Sequence, residues 1–598
     1  MTQVAPKGYL TLTLHAHLPY VVNHGTWPHG MEWLLEAATE TYLPLLRVLG
    51  RLQADGIALK ANLNISPILL EQLAHPVFQA ELPEYLRRKI AAATVDEAQF
   101  KAAGDEHLAD TARWWQGYFT RALEDFTALD SNIIAGFRRF NDAGMIDIIT
   151  CAATHGYFPL LGTDESIVAQ IKTGAATHRK HLGKEPRGMW APECGYRPAG
   201  LWQTPVTPQG LEQPDAPFER MGVEEAMHQS GIGFFFADTH LIDESVSHTP
   251  YDLLHGDPLQ EIGEAVEELE AGTYLKTVYK PYIVDGPAAR HPGSRRQRTH
   301  VFPRDPRTGI QVWSGDTGYP GDGVYLDFHK RRWPGGHRYW QVTHSKADLG
   351  LKTPYYPERA ATRTKAHAEH FASVVIETLS PNFDQEGAPP ILTSPFDAEL
   401  FGHWWHEGPE WLEHVARAIA REDSPVALIS CAEYLDKYPP TAYLGMKEGS
   451  WGENGNNHVW LNPDTSWTWT HIYPAETTVR EIATEGAWRD GLTGERILKQ
   501  LCRELLLLES SDWQFLITTG PARDYAEARF RTHVEQFKAV EDAWLEFKQM
   551  GELGDATEEA LKAIEVRDSI FAEVDPSLWA IASDPVESIT LSPAALGD

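Results

Sequence analysis

Cysteine is scarce in this 598-residue chain. The four present, Cys151, Cys194, Cys431 and Cys502, lie far apart and form no CxxC pair. That spacing excludes a disulfide framework or a zinc ribbon, and it fits a reducing cytoplasm. Positive charge is in deficit too: 52 Lys and Arg face 84 Asp and Glu, a formal net charge of −32. A surface so negative repels phosphate backbones and anionic membranes, so nucleic acid is a poor partner and a neutral substrate a better one. No run approaches about eighteen apolar residues, the length a bilayer-crossing helix needs. The opening stretch MTQVAPKGYLTLTLHAHLPY lacks the basic start, apolar centre and small-residue cleavage site of a secretion signal. Internal repeats, low-complexity tracts and coiled-coil heptads are also missing.

Tryptophan, by contrast, is plentiful. Twenty of them sit in a chain with 42% hydrophobic and 11% aromatic residues. That composition builds a large core, and the surplus of rings points to a binding cleft. The length predicts two or three domains, one of them a large α/β barrel.

Strand-like runs recur at 9–17, 57–66, 145–154, 186–193, 231–238, 389–397 and 425–431, separated by helical stretches. Strands alternating with helices predict parallel βα units, in a barrel or an open sheet. His15, His17, His155, Glu193, Asp238, His240 and Asp397 all fall at the ends of these runs. In a parallel barrel such ends gather on one face, where chemistry is done. Residues 75–145 predict an inserted helical lobe, and 243–325 a long irregular region that covers the site. Residues 200–218, rich in Pro and Gln, predict a surface loop. Beyond about 436 the pattern turns helical, with Phe530, Val534, Phe537, Val540, Trp544 and Phe547 recurring at spacings of three or four.

Two carboxylates suit glycosidic chemistry. Glu193 ends the run GMWAPE, and Asp397 ends another in SPFDAELFGHWWHEGPEW. One would attack the anomeric carbon while the other protonates the departing oxygen; a separation of about 5–5.5 Å gives a covalent intermediate and retention. The acid must stay protonated near neutrality, which requires desolvation or a like charge. Phe396 and the Trp404–Trp405 pair are the expected apolar wall. Taken singly, Glu193 is as readily a structural residue. HAH at 15–17 places two imidazoles on one side of a strand, and ADTH adds Asp238 and His240. That set reads equally as sugar-binding polar groups, as core histidines, or as metal ligands in a deacetylase. The loop GSWGENGNNHVWLN offers Trp451 and Trp460 for stacking on sugars, or for packing on the barrel.

The stretches HAHLPY, GMWAPECGY, GIGFFFADTH, SPFDAELFGHWW and SWGENGNNHVWLN, in this order, resemble the five signature regions of glycoside hydrolase family 57. The similarity is greatest to its 1,4-α-glucan branching enzymes and extends over nearly the whole chain, through VFPRDPRTGIQVWSGDTGYPGD, HKRRWPGGHRYWQVT and LLLLESSDWQFLITTG. The resemblance implies a (β/α)7 barrel over 1–435, with the inserted helical region, and a C-terminal α-helical domain over 436–598 that adds aromatic residues to the cleft. It implies Glu193 as nucleophile and Asp397 as general acid/base. Trp33, Trp313, Trp451 and Trp460 match ring positions of the glucan cleft; Arg304, Gly321 and Asp512 match other substrate contacts; His15, His17, Asp238 and His240 match polar positions around the sugar. It implies no metal or organic cofactor, and a monomer or small homo-oligomer acting on amylose-, amylopectin- or glycogen-like α-glucan, in glycogen-type synthesis. Two departures stand out. Pro521 replaces a glutamine of the family pattern, and the region between Asp238 and Arg304 is longer than expected, so Tyr251, Tyr274, Tyr279 and Tyr282 all qualify as the water-excluding tyrosine. The expected activity is branching, with α-amylase or 4-α-glucanotransferase action as alternatives and non-catalytic glucan binding as a further one.

Overall fold

A computed structural model of the chain describes residues 5–208, 216–243, 276–285, 299–344 and 346–581. Seven parallel strands form a ring: β1 (Gly8–Ala16), β2 (Ala61–Ile65), β3 (Ile146–Cys151), β4 (Met189–Trp190), β5 (Phe234–Ala237), β6 (His300–Pro303) and β7 (Ile391–Asp397). β7, β1, β2, β3 and β4 are neighbours in that order. A parallel bridge from Gly188 to Phe234 carries the ladder to β5, which pairs with β6. The Asp305 N–H then donates to the Thr393 carbonyl at 2.9 Å and returns the ring to β7. Helices outside and side chains inside cover both faces of such a sheet, which is why β1 and β2 are buried at every residue.

Six of the seven expected strands belong to this ring. The remaining one, β8 (Val426–Leu428), pairs only with Gly8–Leu10 at the start of β1. The true member is β6, inside the region expected to be irregular. Its four residues, HVFP, are too short for a pattern and end in proline, which suits a strand terminus. The antiparallel strand Tyr282–Val284 and the helix Pro306–Trp313 also order that region. Tyr251 and Tyr274 lie outside the described residues.

The inserted lobe is a pair of long helices, Pro76–Ala102 and Glu106–Ala128, followed by Ile133–Asp142. Gly104, at φ +77°, turns the chain between the first two, and the Asp105 carboxylate accepts from the Leu108 N–H at 3.2 Å to start the second. Beyond β8 a short strand, Tyr443–Leu444, pairs with Tyr282–Val284, and the later elements are helices: Ser466–Glu485, Leu492–Leu508, Asp512–Thr519, Arg523–Met550 and Asp555–Arg567. Phe530, Phe537, Val540 and Trp544 are buried as their spacing predicts. No described helix is long and apolar enough to cross a membrane.

Candidate active site

The carboxyl ends of the strands converge as expected. β1 delivers His15 and His17, β4 leads to Glu193, β5 to Asp238, β6 to Arg304 and β7 to Asp397. His15 and Asp397 lie abreast in the β1–β7 register.

Glu193 follows Pro192 in a tight turn with φ 59° and ψ 26°, and Cys194 follows at φ 50°. Left-handed backbone at two consecutive non-glycine residues costs about 1–3 kcal/mol each, so surrounding structure must hold it. The loop after β8 does so. Tyr196 and Gly449 exchange hydrogen bonds at 2.9 and 3.0 Å, and the Trp451 N–H donates to the Glu193 carbonyl at 3.0 Å. The same residue reaches the side chain: Trp451 Nε1 donates to Glu193 Oε2 at 2.6 Å. Gly455 lets the loop lie on His240, whose Nε2 would be 2.4 Å from a Cβ there.

Burial pushes the Glu193 carboxyl up to about 8; the Trp451 hydrogen bond opposes this, and the charges of Asp397 and Asp512 add to it. Burial likewise lifts Asp397 to about 7, with Glu399 raising it further and His17 and Arg304 pulling it down. Both carboxyls feel the charge of His17, and Glu193 feels that of Asp397 as well. Glu399 itself is lifted by burial to about 7, against the hydrogen bonds it accepts from the Tyr42 hydroxyl and the His17 N–H.

Behind the pair stand three stacked imidazoles. His17 and His155 rings are 4.1 Å apart, and His15 and His155 5.0 Å. His15 Nδ1 is 2.6 Å from Asn64 Oδ1, and its Nε2 is 3.0 Å from His155 Nε2. His155 Nδ1 is 2.8 Å from Ser511 Oγ, and 3.9 Å from Glu193 Oε1. His17 lies between Ser66 Oγ at 2.9 Å and Asp512 Oδ2 at 3.0 Å. Burial and the neighbouring His17 charge hold His15 and His155 well below the usual imidazole range. Asp238 and His240 do not join them. Asp238 pairs with Arg304 at 3.4 Å, and His240 Nε2 with the Gly455 carbonyl at 3.1 Å. The four metal-ligand expectations thus do not converge. Among the described residues the grouping of three ligand types within 4.8 Å is Glu504, His533 and Asp568, in the C-terminal helices.

Arg304 sits 5.4 Å above the Trp451 ring, and Trp313 meets Trp451 at 5.9 Å and Phe396 at 6.4 Å. Arg304 Nε and Trp313 Nε1 are buried without a partner among the described residues. Gly321 is crowded: a Cβ would come within 2.0 Å of the Gly315 carbonyl oxygen, so no side chain fits. Trp33 is half-buried against His29 at 5.2 Å and Tyr525 at 5.4 Å.

Several of the expected rings are enclosed or face solvent. Trp460 is 1% exposed and stacked on Tyr157 at 4.1 Å, so it packs the loop and offers no open face. Trp404 is 53% exposed and packs on Phe328, while Trp405 beside it is buried among Trp411 and Tyr325. Of the described tyrosines, Tyr282 is buried with its hydroxyl on the Thr277 carbonyl, and Tyr279 is held to Asp305 at 3.4 Å; neither is poised as a lid. His155, placed at a strand end by the sequence but given no role there, and Glu399 also belong to the candidate site. The first follows a strand like the others, and the second is two residues beyond Asp397; adjacency to the strand ends was their signal.

The family model for glycosyl hydrolase family 57 matches residues 11–447. The chain belongs to glycosyl hydrolase family 57. A second model, for the 1,4-alpha-glucan branching enzyme C-terminal region, matches 471–579. The 1,4-alpha-glucan branching enzyme TK1436 of Thermococcus kodakarensis is 38% identical over 569 residues, 95% of this chain and 78% of the relative. Its crystal structure, in complex with glucose and additives, superposes with a TM-score of 0.85 at 36% identity, covering 97% of this chain and 98% of that one. The family 57 branching enzyme of Pyrococcus horikoshii gives 0.83 at 38% identity, with 97% and 98% covered. The α-amylase AmyC of Thermotoga maritima gives 0.74 at 27%, with 96% and 99% covered.

Proposed function

We propose that this family 57 protein is a 1,4-α-glucan branching enzyme working by double displacement. Glu193 attacks the anomeric carbon of an α-1,4 link as Asp397 gives its proton to the departing chain's oxygen. The segment is then held as a glycosyl ester on Glu193. Asp397, now a base, takes the proton of an acceptor 6-hydroxyl, whose oxygen displaces Glu193 and forms an α-1,6 branch. The observation that carries this reading is the buried carboxyl pair with an indole N–H fixed on one member.

Burial raises both carboxyls, Glu193 and Asp397. Substrate separates their roles: positive charge developing at the anomeric carbon stabilises ionised Glu193, already held by Trp451, while the leaving oxygen draws the proton from Asp397. His15, His17, Asp238, His240, Arg304 and Asp512 bind sugar hydroxyls, and Trp33, Trp313 and Trp451 give ring faces. No cofactor enters the scheme. The catalytic unit is residues 1–435; 436–598 completes the cleft through Trp451 and Asp512. Four unpaired, buried cysteines support a cytoplasmic setting.

Hydrolysis is the second reading, favoured by the likeness to AmyC: water then replaces the 6-hydroxyl. The branching-type C-terminal match, which includes Asp512, supports transfer. The test is incubation with amylose, followed by debranching and chain-length analysis. New α-1,6 links are expected, and Glu193→Gln abolishes them; reducing ends without new links overturn the branching assignment.

A further inference from the structure

Of the twenty tryptophans, three are more than half exposed: Trp27 at 64%, Trp333 at 60% and Trp404 at 53%. Two of them meet. The Trp27 and Trp333 rings stand 6.3 Å apart, edge to face, at an interplanar angle of 80°. Large apolar rings gathered in solvent mark a binding surface.

Each ring is held at the tip of a fixed turn. Trp27 lies in the loop 25–30, closed by Met31 N–H on the Gly25 carbonyl at 3.0 Å and Glu32 N–H on Thr26 at 3.2 Å. Gly30 has φ +119°, and a Cβ there would be 2.4 Å from the Gly25 oxygen, so only glycine closes this loop. Trp333 lies at the turn of a hairpin that pairs Arg331–Arg332 with His337–Arg338. Its base is locked to the helical lobe and the barrel: Arg332 pairs with Asp96 at 2.8 Å, Arg338 with Glu40 at 2.9 Å, and Lys89 donates to the Gly335 carbonyl at 3.0 Å. A charged framework thus carries a solvent-facing indole. The same segment begins with Phe328, which packs on the third exposed ring, Trp404, at 4.2 Å.

We propose that Trp27 and Trp333 form a surface clamp for a long α-glucan, additional to the residues assigned to the carboxylate cleft. The proposal rests on the reading of the protein as an α-glucan enzyme. The C–H faces of pyranose rings stack on indoles. Two indoles set at nearly a right angle fit successive sugars of a curved α-1,4 chain better than the flat ribbon of a β-linked one. A chain with formal charge −32 also favours a neutral polymer over a polyanion. The clamp holds distant parts of a polymer, and short oligosaccharides do not reach it.

The test measures binding of amylopectin and of maltotetraose by calorimetry, in Glu193→Gln protein with and without Trp27→Ala and Trp333→Ala. Amylopectin binding weakens about tenfold in the variant with both changes, as for other exposed tryptophan anchors. Maltotetraose binding, and turnover of short maltooligosaccharides by the same pair of changes in otherwise unaltered enzyme, stay the same. The clamp is overturned by unchanged amylopectin affinity, by an equal loss for both ligands, or by sedimentation showing that the changes abolish self-association while glucan affinity persists. An unaltered protein that neither binds nor processes α-glucan removes the functional reading and the clamp with it; a null result for the variants in an active enzyme removes the clamp alone.

Discussion

Trp451 Nε1 donates to Glu193 Oε2 at 2.6 Å, across 258 residues of sequence. The bond ties the loop after the barrel to the turn that carries the proposed nucleophile. Trp451→Phe keeps a ring against Trp190 and Trp313 but removes the donor. A hydrogen bond to a charged group is worth about 1.5–3 kcal/mol, so kcat/KM falls by about 10- to 100-fold. With the donor gone Glu193 rises above its value of about 8. The acidic limb of the pH profile therefore moves to higher pH; a profile that keeps its limbs removes Trp451 from this role.

Glu399 makes a separate prediction. Its charge is one of the groups that raise Asp397 to about 7. Glu399→Gln removes that charge and lowers the Asp397 carboxyl, so the proton needed for the leaving oxygen is lost at lower pH. The alkaline limb of kcat/KM moves down, and the effect is confined to the range near and above neutrality where Glu399 ionises. Unmoved limbs would show that the two carboxyls do not interact.

The coupling of His17 to Asp512 joins β1 to the C-terminal helices at 3.0 Å. His17→Ala and Asp512→Ala each lower kcat/KM, and the double variant loses less than the sum. Partners in one network show interaction energies of about 0.5–3 kcal/mol in such cycles. Strict additivity in the kinetic cycle excludes the shared role.

Stability, finally, depends on a buried cluster away from the cleft. Asp568 accepts from His24 at 2.6 Å and from Gln536, and it is fully buried. Asp568→Ala strands these donors and costs about 3 kcal/mol, read as a lower melting temperature. Burial pushes Asp568 up, but the hydrogen bond and charge of His24, with the charge of His533, hold it down at about 2, against 3.8 normally. A depressed carboxyl stabilises fully above its unfolded value, so the gap between wild type and variant is constant above 3.8 and narrows as pH falls toward about 2. A gap that widens on acidification contradicts the assignment.

Much of the candidate site is legible along the chain. Glu193, Asp397, His15 and His17 stand out because each closes or follows a strand-like run, and parallel strands bring such ends together. β6 does not, because four residues ending in Pro303 carry too little alternation among loops rich in Gly, Pro and Arg. Trp404 and Trp405 show the other limit. The two residues are chemically identical neighbours, yet one faces solvent beside Phe328 and the other is enclosed by Trp411 and Tyr325. Trp460 is hidden for the same reason: a ring in a Gly/Asn-rich loop reads as exposed until Tyr157, which follows β3, is seen to cover it.

The sequence by itself determined the alternation of strands with helices and the chemical type at each strand's end. Those depend on local periodicity and short-range sterics. Only the tertiary structure decided which ring meets which acid, and how far each acid is desolvated. Closing the barrel places segments hundreds of residues apart within hydrogen-bond reach, and burial and proton affinity are properties of that enclosure.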